Sequence, residues 1–192
     1  MQKKLLPLTI AVICSFLFFT LLILIKGNYE FLFYLVVVFF LTWVVYKAHK
    51  KVKFPLYVLW HLFIWATLHL AGGNIYIKGI KLYEYMIFNI IGDPYNILKY
   101  DQAVHIYGFF VATLAIYYVL KPLLQKNHNR WTALTIVVVM AGLGAVNEIV
   151  EFIATVITPS TGVGGYINNA LDLVTDLIGA IIAIGMIFNR FS

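Results

Sequence analysis

The chain has 192 residues, of which 62% are hydrophobic and only 11% charged, with a formal net charge of +6. A soluble fold of this length has too little interior to hide so much apolar surface, so a soluble globular domain is excluded and an integral membrane protein follows. The single cysteine, Cys14, excludes a disulfide framework and a cysteine-based metal centre.

A membrane-spanning helix takes about 20 mostly apolar residues. Six stretches qualify: Leu5–Ile25, Phe31–Tyr46, Phe54–Ala71, Gln102–Leu120, Trp131–Ile157 and Ile167–Phe188. The first, within "MQKKLLPLTIAVICSFLFFTLLILI", is too long and lacks the small-residue cleavage site of a signal peptide, so it reads as a retained helix. The second is short and can extend at either end. The fold expected is an all-α integral membrane protein with six transmembrane helices in a single domain, 1–192. Residues 1–53 supply two peripheral helices, and 54–192 a core bundle with an outer loop at 72–100. In that loop "KLYEYMIFNIIGD" reads as a short interfacial helix ended by Gly92 and Pro94, a passive anchor rather than a lid.

Basic residues set the orientation. With the N-terminus inside, Lys3, Lys4, Lys47, Lys50, Lys51, Lys53, Lys121, Lys126, Arg130 and Arg190 fall on the inner side. Lys26, Lys78, Lys81 and Lys99 fall outside. Both termini are therefore expected in the cytoplasm, in a multi-pass protein of the cell (inner) membrane. Its immediate partner is the lipid bilayer. The positive charge is a topological signal, and no nucleic-acid partner is expected. His49 and His128 are expected in solvated inner loops.

The polar residues within the spans are sorted by face. Residues at i, i+3, i+4 and i+7 share one side of a helix. In the sixth span Asn169, Asp172 and Asp176 are continued by Gly179, Ala180 and Ala183. In the fourth, Asp101 and His105 are continued by Gly108, Ala112 and Ala115; in the fifth, Ala141, Gly144 and Ala145 precede Glu148 and Glu151. The third carries His61, then His69 with Gly72 and Gly73 beyond it. Small residues let helices approach closely in lipid, so these faces look inward. Helices three to six are expected to form a four-helix core, with His69, Asp101, His105, Glu148, Glu151, Asp172 and Asp176 at one depth near the outer side and His61 deeper.

An Asp at the centre of a spanning helix costs roughly 2.5–3.5 kcal/mol on insertion scales, so four such acids need compensation. Protons, a histidinium or loop lysine, or a divalent metal ion can supply it. On the metal reading the ligands are His69, His105, Glu148, Glu151, Asp172 and Asp176. Glu148, Glu151 and His105 are the catalytic candidates, and Asn147, Asn169 and Asp101 the substrate-binding ones. Structural alternatives stand beside these: Asp101 as a helix cap, His61 as a hydrogen-bonded core histidine, His69 as an interfacial histidine, and Asn147, Asn168 and Asn169 as interhelical glue. No His-Glu-x-x-His, Walker or di-iron Glu-x-x-His pattern occurs. "DLVTD" has the Asp-x-x-x-Asp spacing of metal-dependent membrane transferases acting on diphosphates, without their second aspartate pair.

"HLAGG" followed by Tyr76, "YDQAVHIYG", "NEIVEF" and "NNALDLVTDLIGA" together resemble the YjdF-like group of prokaryotic inner-membrane proteins. That group is similar in turn to VanZ-like proteins, named for a glycopeptide (teicoplanin) resistance factor. The resemblance covers about Phe54 to Phe188. The VanZ-like pattern has an Asp and a His at a helix start, like Asp101 and His105, and an acid in the next helix, like Glu148 or Glu151. It then has an Asp followed by Asn and Gly, where this chain has Asp172, Asp176 and Gly179. Asp176 stands where Asn is common, and the usual preceding Arg is missing. The resemblance implies the architecture and the location of a site, and no reaction. Three functions remain open: binding of a cation or of a lipid-linked or cell-envelope head group, a metal-dependent membrane hydrolase or transferase, and transport of protons or cations.

Overall fold

The computed structural model describes residues 2–124, 129–157 and 165–188; Lys126, His128 and Arg190 lie outside the described residues. Six helices are long and apolar enough to cross a membrane. They are α1 (Gln2–Lys26), α2 (Tyr29–Val52), α3 (Leu56–Asn74), α4 (Tyr100–Leu120), α5 (Arg130–Ile157) and α6 (Tyr166–Phe188). The protein is an all-α multi-pass membrane protein. The second helix is longer than its apolar run, because Glu30 and the lysines of its last turns continue the backbone ladder while keeping charge at the helix ends. It stops at Lys53, which adopts a left-handed conformation (φ 58°) and donates its N–H to His49 O, so His49 lies within the helix, with both ring nitrogens buried, and not in a solvated loop.

The segment between α3 and α4 corrects one expectation, since "KLYEYMIFNIIGD" forms no interfacial helix. A hairpin comes first, with β1 (Tyr76–Ile77) antiparallel to β2 (Ile80–Lys81). Lys78 and Gly79, both at positive φ, make its two-residue turn, the geometry that suits the twist of paired strands. One 3-10 turn follows at Leu82–Glu84. Further on, Ile87 N donates to Leu98 O and Ile97 N to Ile91 O. Backbone donors that a helix would use along the chain are taken by acceptors across a loop.

The chain divides into two compact units, Met1–Tyr85 and Met86–Ser192. In the first, α1, α2 and α3 pack together. The end of α3 is buried there, and its orphan carbonyls are answered. Lys26 Nζ donates to Asn74 O (2.6 Å), Asn28 Nδ2 to Gly73 O (3.1 Å), and Asn74 Nδ2 back to Leu70 O (2.8 Å). In the second unit α6 packs against both α4 and α5. Gly179 permits this closeness: a Cβ there would stand 2.2 Å from Ile106 O, on the backbone of α4. An apolar core built from Leu114, Tyr117, Ile136, Met140, Ala180, Ala183, Ile184 and Ile187 fills this unit toward the C-terminal end of α6. The expected inward stripe of small residues is thus seen on α6. Of the expected four-helix core, α4, α5 and α6 are described together, and α3 is described with α1 and α2.

Candidate functional site

Opposite that apolar core, the start of α4, the end of α5 and the start of α6 meet, and the acids converge there. Asp101 lies in the first turn of α4 and His105 one turn on. The loop entering α4 is fixed by Gln102, whose Oε1 accepts from the backbone N–H groups of Leu98 (2.6 Å) and Lys99 (3.0 Å). Gln102, not Asp101, therefore answers the backbone at this helix start. His105, Glu148, Glu151, Asp172 and Asp176 are all buried, with Asp172 and Asp176 at 0% and 1% exposure. Asp101 is the edge of the cluster, with 17% of its side chain exposed.

The His105 ring is the hub. Its Nδ1 meets Asp176 Oδ1 at 2.8 Å. Its Nε2 faces Asp101 Oδ1 at 3.7 Å and Glu151 Oε1 at 4.0 Å, both too long for hydrogen bonds. One edge of the ring is thus held by a carboxylate while the other looks into a space ringed by oxygens. Asn168 Nδ2 bridges Asp101 Oδ2 (3.1 Å) and Asp172 Oδ2. Asn147 Nδ2 approaches Glu151 Oε1 (3.1 Å) and Glu148 Oε1 (3.3 Å). Gly144 makes room on α5: a Cβ there would stand 2.7 Å from Asp176 Oδ2.

These amides do not satisfy the cluster. Glu148 Oε2, Asp172 Oδ1 and Asp176 Oδ2 are buried with no hydrogen-bond partner among the described residues. Unanswered buried oxygens of this kind are costly, most of all on a charged group. Two ligand sets share His105. Donor atoms of Asp101, His105 and Asp172 lie within 4.8 Å of one another, and so do those of His105, Glu148 and Glu151. Donors about 2.0–2.2 Å from a shared ion lie at most about 4.4 Å apart, so either set needs only a small contraction to ligate one.

The remaining sequence candidates sit as follows. Asn168, one turn before Asp172, makes the contacts expected of Asn169, which is half-buried beside it. The i, i+4 spacing from Asp172 was the signal for Asn168. His69 belongs to the first unit. There its Nδ1 meets the Tyr83 hydroxyl at 2.7 Å and its ring stacks on Trp65. His61 is also in the first unit, half-buried on α3.

No curated protein and no solved structure matches the chain. One family model does, over residues 6–192, nearly the whole length. Its description, a predicted membrane protein, agrees with the six apolar helices. The chain belongs to the predicted membrane protein family DUF2238.

Proposed function

We propose that the second unit binds a divalent metal ion among His105 Nε2, Asp101, Asp172, Glu148 and Glu151. The observation that carries this reading is the pair of buried, unpartnered oxygens, Asp172 Oδ1 and Glu148 Oε2, beside an imidazole whose Nε2 has no hydrogen bond within reach. Mixed carboxylate and imidazole donors suit ions such as Mn²⁺ or Zn²⁺. Asp176 serves as a positioning residue: it holds Nδ1 and so turns Nε2 toward the ion, as the outer carboxylate of a metal-bound histidine does. His69, engaged with Tyr83, is outside this ligand set.

Elemental analysis of the purified chain tests the reading. About one divalent ion per chain is expected, and it should be lost in Asp172→Asn and in Glu148→Gln. No co-purifying ion, together with no thermal shift on adding Mn²⁺ or Zn²⁺, would overturn it.

A second reading rests on Asp101, whose partial exposure leaves one edge of the cluster open. There a bound cation can hold the phosphate of a lipid-linked or cell-envelope head group, or activate water on it. Glu148 or Glu151 then acts as general base, with Asn147 and Asn169 as substrate contacts. The YjdF-like and VanZ-like resemblance, and an inner-membrane location, belong to this reading. Transport fits less well, because the apolar core around Met140, Ala180 and Ala183 blocks a polar route along α4–α6. Altered glycopeptide sensitivity in cells expressing the wild type but not Glu148→Gln would support the head-group reading.

A further inference from the structure

The first unit contains a cavity of about 420 Å³ between α1, α2 and α3. That is within the range of pockets that hold small organic ligands. Its walls are almost entirely apolar. One end is marked by Leu5, His49 and Leu59, the other by Phe16, Val38 and Leu70. From Leu5 to Phe16 the wall runs about 17 Å at helical rise. One leaflet of a hydrocarbon core about 30 Å thick is about 15 Å deep. The cavity is therefore as long as a single leaflet.

The two ends differ in chemistry. Lys3 and Lys4 precede Leu5 on α1, and Lys47, Lys50, Lys51 and Lys53 surround His49. The acids of this unit, Glu30 and Glu84, lie near the start of α2 and beyond the end of α3, away from those lysines. Lys47 Nζ and Lys50 Nζ lie over the rings of Trp43 (5.4 Å) and Tyr46 (4.5 Å), two aromatic residues of the cavity wall. Both ring nitrogens of His49 are buried without a hydrogen-bond partner among the described residues. An apolar slot one leaflet deep, with lysines beside one end and an unanswered imidazole in its wall there, is complementary to one kind of molecule.

We infer that α1–α3 form a binding site for an anionic phospholipid, one acyl chain in the cavity and its phosphate head group among Lys47, Lys50, Lys51 and His49. Lysines beside a spanning helix attract anionic lipid electrostatically. The cavity adds what a surface patch lacks, a bound chain that holds the lipid in place. The inference is independent of the metal reading, since no residue is shared.

The test is native mass spectrometry of the full chain in detergent, with phosphatidylglycerol and phosphatidylcholine of identical acyl chains. The wild type should retain one phosphatidylglycerol at least tenfold over phosphatidylcholine. Ala66→Trp, which fills the cavity, should lose that adduct, and the milder Ser15→Leu should weaken it if the tryptophan variant does not fold. Lys47→Gln, Lys50→Gln and Lys51→Gln combined should keep an adduct but lose the preference for phosphatidylglycerol. Equal retention of both lipids by the wild type would overturn the inference. So would an unchanged phosphatidylglycerol adduct in the filled variants, which would mean lipid on the surface lysines only.

Discussion

The two units of this chain differ in how many buried polar groups they gather in one place. Among the described residues the buried polar side chains of α1–α3 are Glu30 and Asn74; Asn74 is tied to the backbone of its own helix and to Lys26 and Asn28, and the half-buried His49 stands apart from both with its two ring nitrogens unanswered. In α4–α6 they are Gln102, His105, Thr113, Glu148, Glu151, Asp172, Thr175 and Asp176. Several oxygens of the second set have no donor among the described residues. Asn74 is what a helix end needs in order to be buried, and it leaves nothing to recruit. The carboxylates around His105 instead face one another, and three of their oxygens have no donor among the described residues, an arrangement costly to a fold by itself. A cluster of unanswered buried oxygens, rather than polarity as such, is what marks α4–α6 as the candidate site.

The comparison breaks most sharply at the two histidines. Removing His105 leaves Asp176 buried beside other acids, so His105→Ala should cost about 3–5 kcal/mol of stability, the penalty of an uncompensated buried charge. The bound ion should be lost with it. His69→Ala removes a hydrogen bond and ring packing, and should keep the ion. Thermal unfolding in detergent and metal content, measured on both variants, decide the point. A His69→Ala protein that loses its ion would place His69 among the ligands after all.

Next in size is the helix contact that assembles the cluster. Gly179→Val places branched carbons against the α4 backbone and should cost about 3 kcal/mol, the upper range for overpacking. Gly185, also on α6, has open space where its Cβ would be. Gly185→Ala should therefore leave the unfolding temperature unchanged or slightly raised. If both variants behave alike, the close α4–α6 approach is not what holds this unit together.

Much of this was legible in the sequence for a simple reason. Acids and small residues spaced by three, four and seven must share a helix face, so Asp172, Asp176 and Gly179 announce both the site and the packing. Exclusion from lipid then points those faces inward. Finer roles were hidden because they depend on rotation and on contacts distant in sequence. Asn168 and Asn169 differ by about 100° around the helix, and only packing decides which one reaches Asp101. The sequence offers Asp176 only as one more ligand candidate; the contact of its Oδ1 with Nδ1, on which the proposed positioning role rests, depends on how α4 and α6 pack. The apolar content of residues 81–93 fits an interfacial helix, and the backbone pairing that replaces it, Ile87 N to Leu98 O and Ile97 N to Ile91 O, has no local signature; Lys78-Gly79, just before that stretch, signals only the hairpin.

Gly144 gives a smaller and more local effect. Gly144→Ala puts a methyl group against Asp176 Oδ2, so the carboxylate must shift and His105 Nε2 loses its aim. Ion affinity should fall about 10–100-fold, the usual effect of disturbing an outer-sphere partner. Gly142 on the same helix has no atom near its Cβ position, and Gly142→Ala should leave affinity unchanged. Isothermal titration with Mn²⁺ or Zn²⁺ on the two variants reads the difference. Equal affinities would deny Asp176 its positioning role without touching the ligand set.

The smallest effect is expected at Tyr83. Its hydroxyl donates to His69 O at 2.7 Å and meets His69 Nδ1 at the same distance, and its ring fills the space above Gly72. Tyr83→Phe keeps the ring and removes the hydroxyl with its two contacts to His69, so the loss should be about 1–2 kcal/mol. Metal content should not change, because Tyr83 and His69 contact each other within the first unit and neither belongs to the proposed ligand set. Should the ion instead be lost in step with the hydroxyl, the aromatic and histidine contacts of α3 would be part of the metal site's support. The independence of the proposed metal site from the contacts of α3 would then fail.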